Sequence, residues 1–105
     1  DQEEKVFKLA QLACEFIKCD QAKREDVLVF DNYVGGGYGV PTEGMKEAVK
    51  LMATKEGILL DPVYSGKGFD GLQDLIAKKY FKNTDKLLFI HTGGAASLSA
   101  YEWAF

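Results

Sequence analysis

The chain has 105 residues, 47% of them hydrophobic and 28% charged, with a formal net charge of −3. That length allows one modest domain, and the balance is that of an ordinary globular chain. No basic stripe points to nucleic acid, and no apolar run approaches the roughly 20 residues that span a bilayer, so neither partner is expected.

The opening, "DQEEKVFK", is charged and already helical in pattern, unlike a signal peptide. It lacks an initiator Met, so a fragment or a chain cut from something longer is expected. Val6, Leu9, Ala10, Ala13, Phe16 and Ile17 recur at helical spacing and predict a helix over 4–18. Cys14 falls on its apolar side, where it is expected to be buried as a small hydrophobe. Cys14 and Cys19 fit no metal or redox spacing, and this usage suits a reducing, cytoplasmic compartment.

"CDQAKRED" reads as a loop, and "VLVF" (27–30) as a short buried strand. "DNYVGGGYGVP" is too rich in glycine for regular structure and predicts a shaped loop. Thr42 can cap the next helix, with Glu43 favourable in its first turn. Met45, Ala48, Val49, Met52 and Ala53 line the inner face of that helix, and Gly57 ends it. "ILLDPVYSG" reads as a buried segment broken at Pro62. A further helix is predicted over 67–79, with Phe69, Leu72, Leu75 and Ile76 facing in. A strand over 87–91 and a last helix from about Gly94 complete the chain. This alternation predicts an α/β fold, part of a parallel open sheet with helical crossovers.

Two Gly-rich turns, "NYVGGGYGVPTEG" and "HTGGAAS", follow predicted strands, which is where open α/β sheets place ligands. Glycines around Tyr38 can thrust its phenol into a pocket or let the ring pack on the loop. The run "GGGYGV" is not a dinucleotide fingerprint, because Val40 stands where a third glycine is needed. Tyr64, Ser65 and Lys67 stand at a helix N-terminus and could bind an anion. Lys67 reads either as a Schiff-base lysine or as an exposed first-turn lysine. His91, the one histidine, reads as a catalytic base or as a satisfied imidazole. Residues alone make Thr92, Gly93 and Gly94 a candidate phosphate cradle. No spaced carboxylate pair supports metal or glycosidase chemistry.

The runs "GGGYGVPTEGMKEAVKLMATKEGILLDPVYSGKG" and "LLFIHTGGAASLSAY" cover about half of the chain. In order and spacing they resemble the C-terminal part of the D-cysteine desulfhydrase and 1-aminocyclopropane-1-carboxylate deaminase family. Members are pyridoxal phosphate enzymes of the tryptophan synthase β type, with fold type II. The resemblance implies that residues 1–105 are the C-terminal part of the cofactor-binding large domain. It places the Schiff-base lysine and the phosphate turn upstream of this region, which displaces the cradle reading of Thr92–Gly94.

By the same resemblance, Tyr38 faces the substrate and Tyr64 lies against the pyridine ring. Thr92 brings its hydroxyl to the pyridine nitrogen, with Ser65 and Gly93 beside the cofactor. The ring-opening deaminases carry Glu where this chain has Ser65 and Leu where it has Thr92, and both differences point to a desulfhydrase. The implied activity is β-elimination from D-cysteine to pyruvate, sulfide and ammonia. The implied partners are a small amino acid, the N-terminal part of the same enzyme, and a second subunit in a homodimer. The alternatives are the deaminase or another β-eliminating amino-acid lyase and, in another class, a non-catalytic α/β module.

Overall fold

A computed structural model describes all of residues 1–105. Its elements are α1 (Gln2–Ile17), a 3-10 turn (Arg24–Asp26), α2 (Glu43–Glu56), α3 (Ser65–Ala77) and a 3-10 helix (Ala95–Ala104). Helical residues make up 53% of the chain and strand residues none. This overturns the expected α/β parallel sheet. The strands expected over 27–30 and 87–91 do not form. A strand persists only when its N–H and C=O groups pair with a neighbouring segment, and apolar composition cannot supply that neighbour. Of "VLVF" only Val27 is buried, and Leu88 stays 86% exposed.

The chain divides into two units, Asp1–Asp31 and Asn32–Phe105. In the first, Asp1 caps α1 by accepting from the Glu3 N–H at 3.1 Å. Lys18 closes the helix in the left-handed conformation. The Glu3 carboxylate ties the unit together. It accepts from Arg24 Nη2 at 2.6 Å and from the Val29 N–H at 3.3 Å. Arg24 also lies 6.0 Å over the Phe7 ring. The apolar stripe of α1 is real but buries no residue, and Phe16 is 87% exposed. Cys14 is accordingly half-buried rather than buried, and both thiols are free.

The second unit holds the pair α2 and α3. Thr42 caps α2 as expected, its hydroxyl accepting from the Met45 N–H at 3.2 Å, and Gly57 ends it at φ 66°. Met45, Ala48 and Val49 are its buried face. The core joins Met45 and Val49 to Leu60, with Met52, Phe69, Phe89 and Leu98 packed around them. The face that α3 buries is Ser65, Gly66, Lys67 and Gly71, not the apolar stripe expected of it. Glycine is the reason. A Cβ on Gly66 would stand 2.7 Å from the Asp61 carbonyl oxygen and 2.9 Å from Val49 Cγ2. One on Gly71 would stand 2.9 Å from the Tyr33 ring. The backbone of α3 therefore approaches its neighbours directly, and Phe69, Leu72 and Leu75 are left half-buried.

Candidate functional site

The turn into α3 is organised by Asp61, a residue the sequence reading passed over. Its carboxylate accepts from the N–H groups of Val63 (2.8 Å), Tyr64 (2.7 Å) and Ser65 (2.7 Å). It also accepts from the Ser65 hydroxyl at 2.6 Å, while that hydroxyl accepts from the Asp61 N–H at 2.8 Å. Burial pushes the Asp61 carboxyl upward. The Ser65 hydroxyl and three backbone N–H groups outweigh it and hold the carboxyl below the usual aspartate range. The signal was present as Asp-Pro before a helix with a serine four residues on, a capping arrangement for orphan N–H groups.

That cap presents Tyr64 outward at the head of α3. The Gly-rich loop presents Tyr38 to it, and the two phenol oxygens are 2.5 Å apart. Their rings meet edge to face with centroids 5.8 Å apart. Tyr38 is 77% and Tyr64 61% exposed, so the pair lies open on the surface. The hydrogen bond with Tyr38 raises the Tyr64 phenol above the usual tyrosine range, with burial adding to it. Tyr38 is carried on a backbone that only glycine adopts readily, with Gly37 at φ 148° and Gly39 at φ 72° on either side of it.

Lys67 is not the exposed first-turn lysine expected of it. It is buried, and its ammonium donates to the carbonyls of Val34 (2.6 Å) and Gly37 (3.1 Å) in the Tyr38 loop. The Tyr101 hydroxyl donates to the next loop carbonyl but one, Gly39, at 3.0 Å.

The second Gly-rich turn also docks here. A Cβ on Gly94 would stand 2.9 Å from the Asp61 Cβ, so the turn lies on the capping carboxylate. His91 is a satisfied imidazole. Nδ1 accepts from the Gly93 N–H at 3.2 Å, so Nε2 carries the proton and donates to the Leu59 carbonyl at 3.0 Å. Between them, Thr92 is exposed and its hydroxyl makes no hydrogen bond within the chain.

Tyr38, Tyr64 and Ser65 thus share one locus at the head of α3. The 92–94 turn is tied to it through Asp61 and Leu59. The groups free to meet a ligand are the two phenols and the Thr92 hydroxyl. The Ser65 hydroxyl and the Gly93 N–H are engaged internally and shape the turns instead. Residues 2–93 match the family described as pyridoxal-phosphate dependent enzyme.

Proposed function

Because the chain belongs to the pyridoxal-phosphate dependent enzymes, we propose that it is the C-terminal part of the cofactor-binding domain of a D-cysteine desulfhydrase. The observation that carries this reading is the open Tyr38–Tyr64 phenol pair, 2.5 Å between oxygens, at the head of α3. The overall conversion is D-cysteine plus water to pyruvate, hydrogen sulfide and ammonia. When bound, pyridoxal phosphate supplies the electron sink for the pair left at Cα as its proton departs.

The residues of this chain act around that chemistry. Thr92 would offer its free hydroxyl to the pyridine nitrogen. A neutral donor leaves that nitrogen unprotonated, which suits expulsion of a good leaving group such as thiolate. Tyr64 packs beside the ring, and its raised phenol stays protonated at neutral pH. Tyr38 hydrogen-bonds Tyr64 and faces the substrate, so the pair can hold a proton at the Tyr64 oxygen and pass it across one short bond. Ser65 and Gly93 line the cofactor through the turns they brace. Ser65 and Thr92, where the deaminases carry Glu and Leu, favour desulfhydration over ring opening.

The upstream lysine and phosphate turn, a homodimeric assembly and a cytoplasmic setting complete the reading. The free thiols of Cys14 and Cys19 support that setting, and no helix is long and apolar enough to cross a membrane.

Enzyme carrying this chain, loaded with pyridoxal phosphate, is expected to release sulfide and pyruvate in equal amounts from D-cysteine. No sulfide from D-cysteine ends the proposal. Ammonia and 2-oxobutyrate from 1-aminocyclopropane-1-carboxylate, faster than sulfide from D-cysteine, would assign the deaminase instead.

A further inference from the structure

Lys67 sits in the first turn of α3 at 8% exposure, with no carboxylate as its partner. Burying an ammonium costs several kcal/mol unless its donors are used. Here they are used on a loop whose other ties to the fold are side chains toward its two ends, Tyr33 to Asp74 and Tyr101 to Gly39. The loop carries no regular structure, and the one backbone bond across it is Val40 N–H to the Gly37 carbonyl at 3.2 Å. That same carbonyl accepts from Lys67. Tyr38 follows it directly, and its exposed ring is fixed by no surrounding core. Tyr64 immediately precedes α3, and Lys67 lies three residues further on. One cation therefore references the backbone beneath Tyr38 to the helical turn that presents Tyr64.

We propose that Lys67 is a positioning residue whose ammonium, by gathering the Val34 and Gly37 carbonyls, sets the Tyr38 phenol against that of Tyr64. Its consequence for catalysis rests on the reading of the tyrosine pair as part of the active site. The positioning itself does not. Tyr101, donating to Gly39, steadies the far side of the loop, and Tyr38 is held between two side chains from other segments.

The test is NMR of the whole enzyme with ¹³Cζ-labelled tyrosine and ¹⁵Nζ-labelled lysine. In the wild type Tyr64 should titrate above the ordinary tyrosine value of 10.0. Lys67→Met keeps the stem and removes the donors. It should return Tyr64 toward the ordinary value, as Tyr38→Phe should. Tyr33, held up by Asp74 on another turn of α3, should not move in either variant. A Lys67→Met enzyme that keeps both tyrosines raised overturns the proposal.

A second measurement needs no change at Lys67. Coupling is reciprocal, so Tyr64→Phe should speed hydrogen exchange at the Lys67 ammonium. In the wild type that ammonium should exchange at least about tenfold more slowly than that of exposed Lys55. Equal exchange at Lys67 and Lys55, or exchange at Lys67 that ignores Tyr64→Phe, overturns the proposal even if Lys67→Met fails to fold. Coupled tyrosine and lysine signals in an enzyme that releases no sulfide would uphold the positioning and end the desulfhydrase reading. Sulfide release without coupling would do the reverse.

Discussion

Helices α1 and α3 have similar apolar repeats and opposite fates. In α1 the stripe of Val6, Leu9, Phe16 and Ile17 follows helical spacing, yet the helix buries no residue. In α3 Phe69, Leu72 and Leu75 of the stripe are half-buried and Ile76 is exposed, while a face of serine, lysine and glycine is sealed. Periodicity says which residues share a face. It does not say which face can come close enough to another backbone to exclude water, and at α3 the missing Cβ atoms decide that.

The largest expected effect breaks the close approach. Gly66→Val places carbon within about 3 Å of the Asp61 carbonyl, Val49 and Met45, and should cost about 3 kcal/mol by overpacking, read from urea unfolding. A variant as stable as wild type would show that α3 can move off its neighbours at no cost.

Next comes the cap. Asp61→Asn should cost about 2 kcal/mol at neutral pH, because a charged acceptor of four hydrogen bonds becomes neutral. The sign with pH follows from its lowered carboxyl. Its contribution is complete above the ordinary aspartate value of 3.8 and fades as pH falls below it through the folded value. Acid unfolding monitored by circular dichroism should therefore be less steep in Asp61→Asn than in the wild type.

Asp70 is the opposite case, in α3 with its carboxylate against Gly44 of α2. Burial first, then Asp74 and Glu47, raise its carboxyl, so its ionised form opposes folding. Asp70→Asn should stabilise the protein by under about 1 kcal/mol at neutral pH. The gain should vanish as pH falls below the ordinary value of 3.8 and the wild-type group protonates in both states. Smallest of all, Leu9→Ala on exposed α1 should change stability by no more than about 0.5 kcal/mol. A larger loss would mean that this face is covered in solution.

The site divides along the same line. Tyr38 and Tyr64 were legible as candidates because a Gly-rich loop and a helix start each expose what they carry. Their meeting at 2.5 Å was not, since 26 residues separate them and nothing local joins their segments. Ser65 was legible as a helix-start hydroxyl, but its engagement with Asp61 depends on how the turn closes. Lys67 reads as exposed in the sequence because an ammonium at a helix start is ordinarily solvated. Only the loop carbonyls, thirty and more residues earlier in the chain, show what it holds.

Local chemistry alone determined where α2 starts and stops. The Thr42 hydroxyl, the left-handed freedom of Gly57 and 3.6-residue periodicity act within a few residues and need no tertiary partner. Motif order likewise suffices to place the chain among pyridoxal-phosphate dependent enzymes. The tertiary structure decided what depends on a distant second group. Residues 27–30 and 87–91, apolar enough for strands, form none, because a ladder needs a neighbouring strand that no sequence pattern guarantees. Through-space contact also placed glycine rather than leucine at the packing face of α3, and it turned Lys67 inward to hold the loop of Tyr38.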